Sequence, residues 1–166
     1  KEVLVQKPQE MEDALLRGKS IKLNLEKLQS DLSEIDKRSI ITCFNLLDLD
    51  VYSDSKKAII LTQPLIGAGF KVTEDEIIAI YKEMIDNAKS RQMVVYFKMH
   101  PREDIDYIKA YKKDQVKVIP KLIPIEVLNL DSKIFFDEAH TICSGSIDNL
   151  LHVKHKHSLG FDYLKK

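Results

Sequence analysis

The sequence predicts an α/β fold, a Rossmann-like parallel sheet flanked by helices, preceded by an α-rich N-terminal segment. Three observations carry this prediction. Ala58-Ile59-Ile60-Leu61-Thr62 is a continuous apolar run, as in a strand buried on both faces. Thr73-Glu74-Asp75-Glu76 then has the pattern of a capping box that opens a long amphipathic helix. Met93-Val94-Val95-Tyr96-Phe97-Lys98 follows as a second strand and runs into His100-Pro101. Proline lacks an N–H and has a fixed φ, so the ladder cannot continue past it. Strand, helix and strand with short connections argue for parallel pairing, with right-handed crossovers.

Taken in order, residues 1–50 differ from the rest. Residues 1–18 are charged, with one strand-like piece at 2–5. Leu25, Leu28, Leu32 and Ile35 recur at near-helical spacing and predict an amphipathic helix over 21–35. Residues 36–47 read as a second helix, or as a helix and a turn. The polar stretch 48–57, with Ser53-Asp54-Ser55, sets a boundary. Residues 1–50 are thus a helical segment or the remnant of a preceding domain, and residues 51–166 are the α/β domain. Within that domain the strand at 58–62 leads through a loop with Gly67 and Gly69 to the helix ending near Ser90. A helix at 104–113 and a strand at 116–119, stopped by Pro120, come after the second strand. Pro124 opens a short helix over 125–130. A strand at 133–136, a short helix at 147–151 and a last strand between 157 and 164 complete the pattern. There is no internal repeat.

Composition narrows the function. The 166 residues, 44% of them apolar, suffice for the core of one domain. Twenty-six basic and 26 acidic side chains cancel, which argues against a nucleic-acid partner, a role that needs a basic excess. No run nears the roughly 18 apolar residues of a membrane span, and no signal-peptide pattern is visible. Cys43 and Cys143 form no motif and read as reduced core thiols of a cytosolic protein. Lys1 is not a methionine, and the organisation reads as one half of a longer enzyme.

Ligands of open α/β sheets bind outside the carboxyl ends of the strands, so the strand ends hold the candidate residues. Lys98, His100, Pro101 and Arg102 end the second strand. The two cations suit a phosphate, and the imidazole can both touch it and titrate near neutral pH. The alternative is a strand that merely stops at a proline. Ser144-Gly145-Ser146 offers hydroxyls and free N–H groups to the same anion, or is an ordinary cap with a flexible turn. Gln63, in Thr62-Gln63-Pro64-Leu65, lines the crevice or belongs to a plain turn; the glycines beyond it match no dinucleotide or Walker pattern. The acids Glu74, Asp75 and Glu76 serve the helix dipole, unless one faces the crevice as a general base. Asp137-Glu138-Ala139-His140 touches a ribose or base, or forms a turn after its strand. His152, His155 and His157, interleaved with Lys154 and Lys156, read as a solvated basic segment, and no metal is expected.

As a set, Thr62-Gln63-Pro64-Leu65, the helix after Thr73, Lys98-Met99-His100-Pro101-Arg102 and Ser144-Gly145-Ser146 resemble the nucleotide-binding half of a bacterial sialyltransferase. The resemblance, over roughly residues 56–160, is to the lipooligosaccharide and capsule sialyltransferases of glycosyltransferase family 52. The histidine-proline and serine motifs are shared with bacterial polysialyltransferases. The resemblance implies one half of a GT-B fold and a C-terminal nucleotide-binding domain. It also implies CMP-sialic acid as donor, a galactose-type acceptor in a capsule or lipooligosaccharide, inversion, and no cofactor or metal. It makes His100 the phosphate contact and general acid, Ser144 and Ser146 further phosphate ligands, and Asp75 or a neighbour the general base. The family's acidic motif ends in glycine, where this chain has Glu76. A cytoplasmic enzyme with peripheral contact to the inner membrane, and a homodimer, fit this reading. The alternatives are a CDP-glycerol-type glycerophosphotransferase, which shares the Lys-x-His-Pro motif, and a non-catalytic nucleotide-binding or assembly module.

Overall fold

The structure, a computed structural model, describes residues 3–5, 20–22 and 25–165. The chain divides into two compact units, Lys1–Ser39 and Ile40–Lys166. In the first, β1 (Val3–Val5) pairs in parallel with β2 (Ser20–Lys22), Val3 opposite Ser20. The single helix predicted over 21–35 is instead the end of β2, then α1 (Leu25–Asp31), then the start of α2 (Glu34–Cys43). Ser33 makes the break. Its Oγ accepts from the Asp36 N–H at 3.2 Å and donates to the Asp36 carboxylate at 2.6 Å, which caps a new helix rather than continuing the old one.

The second unit is built on five parallel strands: β3 (Lys57–Leu61), β4 (Val94–Lys98), β5 (Lys117–Ile119), β6 (Phe136–Thr141) and β7 (Val153–Ser158). Their order across the sheet is β5-β4-β3-β6-β7. The chain moves outward from β3 to β5, then returns to the other side of β3. The switch point therefore lies between β3 and β6, where a crevice opens at the carboxyl edge of such sheets.

Both faces of β3 are buried, as its unbroken apolar run predicts. Alternate residues point to opposite faces, so Ile59 and Leu61 join one core cluster and Ala58 and Ile60 the other. On the first face lie Ile41, Leu46 and Val51 from the start of the unit, with Ile123, Ile125 and Ile147 from the later loops. On the second lies α3 (Glu74–Ser90), through Ile77, Tyr81, Ile85 and Ala88. Tyr81, Phe97, Tyr107 and Tyr111 pack there ring against ring, with centroids 5.1–5.9 Å apart. Thr73 and Glu76 form the expected capping box, each side chain bonding the other's N–H at 3.3 and 2.8 Å.

Several other elements differ from the sequence prediction. β6 begins where the strand at 133–136 was to end, so Asp137, Glu138, Ala139 and His140 lie within it and form no turn. Their polar side chains are absorbed by partners: Asp137 accepts from the Lys57 N–H, and Glu138 takes Arg91 and His140. The last strand lies at Val153–Ser158, earlier than predicted. The helix expected over 104–113 shrinks to α4 (Tyr107–Ala110) and one 3-10 turn, ended by Gln115 at φ 49. The short helices near 125 and 147 are also 3-10 turns. Both cysteines are free thiols, but Cys43 is exposed and Cys143 half-buried, so neither is a sealed core residue. Among the described residues no helix is long and apolar enough to cross a membrane.

Candidate functional site

At the carboxyl edge of β3 and β4 lies a cleft of about 140 Å³. Thr62, Lys98, His100, Pro101, Glu126 and Ser146 are among the residues that line it. Two motifs more than forty positions apart thus meet because β4 and β6 flank β3 and point the same way.

The strand ends are held by a buried polar knot. The Thr62 N–H donates to the Lys98 carbonyl at 3.0 Å, which carries the β3–β4 ladder one step further. The Thr62 hydroxyl accepts from the His100 N–H at 2.9 Å and donates to the Glu103 carboxylate. Glu103 also faces the His100 N–H at 3.2 Å and accepts from the Tyr107 hydroxyl at 2.8 Å. Its own N–H returns to the His100 carbonyl at 3.1 Å. A buried carboxylate is tolerated only when hydrogen-bonded, and here its bonds fix the turn from Met99 to Glu103. Sequence reasoning missed Glu103. The available signal was an acid three residues after His100, the reciprocal spacing of a capping box.

His100 is half-buried. Its Nδ1 accepts from the Arg102 N–H at 3.1 Å, which assigns the neutral ring's proton to Nε2. Burial, then the charges of Arg102 and Lys98, push the imidazole below its ordinary pKa, against a smaller opposing pull from Glu103. Near neutral pH the ring is therefore an uncharged hydrogen-bond donor through Nε2.

Lys98 is 7% exposed. Its ammonium donates to the carbonyls of Met99 and Lys121 at 2.7 and 3.0 Å. Burial lowers its pKa to about 8, against the pull of Glu126 and Glu103. Glu126 is itself bonded by the Asn149 side chain at 2.8 Å.

On the other side of the switch point, the Gln63 amide bridges β3 to the loop after β6. Its oxygen accepts from the Cys143 N–H at 3.1 Å and its nitrogen meets Cys143 Sγ. The Ser144 N–H is bonded to Thr141 Oγ1 at 3.1 Å, and Ser144 Oγ accepts from the Ser146 N–H at 3.3 Å. Thus Ser146 reaches the cleft wall, while Ser144 and Gln63 hold the loop behind it. Gly145, Arg102 and Asp75 are exposed and do not line the cleft. Asp75 sits in the first turn of α3.

The sequence profile of Glycosyltransferase family 52 matches residues 2–158. The chain belongs to glycosyltransferase family 52. An uncharacterised protein of Haemophilus influenzae is 39% identical to it over 72 residues, which are 43% of this chain and 22% of that one. The chain thus matches about a fifth of that relative's length. The family 52 chain carries its cleft where open α/β sheets bind ligands.

Proposed function

We propose that this chain binds the cytidylate of CMP-sialic acid and serves its transfer, with inversion, to a glycan acceptor of a capsule or lipooligosaccharide. The observation that carries the reading is the convergence of the His100 ring, the Lys98 strand end and Ser146 on one cleft. These groups suit a phosphate: a fixed N–H donor, a hydroxyl and a nearby cation.

As the glycosidic bond lengthens, negative charge grows on the departing phosphate. Donors already aimed at it bind that state more tightly than the substrate. A phosphate monoester has a second pKa of about 6, so CMP leaves as a stable anion and needs no proton at neutral pH. The bond from the Arg102 N–H to Nδ1 disfavours the imidazolium. In this reading His100 therefore stabilises charge as a neutral donor, in place of the general acid that family resemblance implies. Ser146 is the second phosphate ligand, with Ser144 and Gly145 shaping its loop, and Gln63 joins that loop to β3. Pro101 stops the strand so that His100 turns into the cleft. Arg102 adds long-range attraction for the anion. Asp75 is the proposed acceptor-side base, since α3 starts at the same sheet edge. No cofactor is required by this chemistry.

Calorimetric titration tests the reading. CMP is expected to bind the wild-type chain, and His100→Ala and Ser146→Ala each to weaken it about tenfold to a hundredfold, the worth of a hydrogen bond to a charged group. CMP-sialic acid must compete at the same site. Preference for CDP-glycerol would point to glycerophosphate transfer. Flat titrations with every cytidine nucleotide, in wild type and variants alike, would leave a non-catalytic assembly module.

A further inference from the structure

We propose that Glu138, His140 and His157 form a binding site for a divalent transition-metal ion of borderline softness, such as zinc. The inference is independent of the nucleotide cleft and lies on the opposite face of the sheet. His140 pairs with Ile60, whose side chain packs with α3, whereas the cleft residue Leu61 packs on the other side.

The site arises from strand register. Residues two apart on a strand share a face, so Glu138 and His140 of β6 do, and so do His155 and His157 of β7. Parallel pairing sets Glu138 opposite His155 and His140 opposite His157. Neither Glu-x-His nor His-x-His is a metal motif within one helix, and for that reason the spacing along the chain conceals the cluster. One ligand atom each from Glu138, His140 and His157 lies within 4.8 Å of the other two. The His140 and His157 rings stack with centroids 4.8 Å apart, and His140 Nε2 is 2.7 Å from Glu138 Oε2. Around a tetrahedral zinc the ligand atoms would stand about 3.4 Å apart. Small side-chain rotations close that difference.

The donor set selects the ion. Two imidazoles and one carboxylate suit zinc, nickel or copper(II) and disfavour calcium and magnesium, which prefer oxygen. Three protein ligands leave one position for water. Arg91 already binds both oxygens of Glu138. It can keep Oε1 and hold the carboxylate in place while the ion takes Oε2, the support that ligating carboxylates usually have. For Nε2 of the neutral His140 ring to bind the ion, the ring takes the tautomer with its proton on Nδ1, and the contact of Nε2 with Glu138 is replaced by a shared ion. Glu138 is buried, His140 half-buried and His157 exposed, so the site has a built floor and an open door. An ion there would clamp the edge strand β7 to β6.

The test is zinc titration of the chelator-stripped chain by calorimetry, with thermal unfolding alongside. One zinc per chain is expected, with a rise in Tm. His157→Gln, at an exposed position, should weaken zinc at least tenfold and abolish the Tm rise, while His155→Gln should retain both. Cobalt(II) should give the visible absorption of a four-coordinate site, lost in His157→Gln. No binding at submillimolar zinc, wild-type binding by His157→Gln, or an equal loss in His155→Gln would overturn the proposal.

Discussion

His100 and Lys98 share a cleft but respond to pH in different ranges. His100 is uncharged near pH 7 because burial and two neighbouring cations disfavour its proton. Lys98 keeps its charge there and loses it near pH 8, because burial lowers its pKa to about that value. Two effects of opposite sign follow. Raising the pH through 8 removes the cation beside the proposed phosphate, so CMP affinity should fall. Stability moves the other way. Between pH 8 and the ordinary lysine range the unfolded chain binds more protons than the folded one, so this group's contribution rises with pH. Calorimetry and urea unfolding from pH 7 to pH 10 should show affinity dropping while the Lys98-dependent part of the stability climbs. In Lys98→Met both slopes should flatten. A CMP affinity that is constant across this range would remove Lys98 from the phosphate site.

At the scale of elements, legibility followed burial and local capping. β3 and β4 were readable because their apolar runs are buried on both faces. α3 was readable because Thr73 and Glu76 announce its start and its apolar positions keep helical spacing. β6 is hard to read because it carries Asp137, Glu138 and Thr141, which find Lys57, Arg91 and the Leu61 carbonyl far away in sequence. β7 is an edge strand whose exposed lysines and histidines hide it among loops; charged side chains are usual on such edges. The convergence of His100 and Ser146 was legible once parallel strands were assumed. Glu103 is less legible, because its buried carboxylate is set by Thr62, 41 positions away, which only the fold brings to it. The cap of α3 gives an element-scale prediction. Thr73→Ala should cost about 1 kcal/mol, as N-cap losses do, seen as a lower urea midpoint. Thr73 also holds the Glu76 carboxyl below its usual pKa. Its contribution is therefore present above the ordinary carboxylate range and lost as pH falls below it. The difference between wild type and variant should accordingly shrink in acid, with CMP affinity the same in both at each pH.

For the whole molecule, the size of the cleft sets what this chain can do with its proposed donor. Sites that enclose a small ligand usually offer about 300–1,000 Å³, and this cleft offers about 140 Å³. That is room for a phosphate and part of its nucleoside, with the sugar left outside. In the proposed binding mode His100, Lys98 and Ser146, three of the residues that line the cleft, serve the phosphate. In the GT-B arrangement that the family resemblance implies, a facing domain covers the sugar and the acceptor. The 166-residue chain should therefore bind CMP and CMP-sialic acid with nearly equal, modest affinity, because the sialyl group adds no contact here. Paired titrations with the two ligands check this. A CMP-sialic acid affinity more than about tenfold above that of CMP, a gap of 1.4 kcal/mol, would mean that this unit itself grips the sugar and that its cleft closes further around the donor.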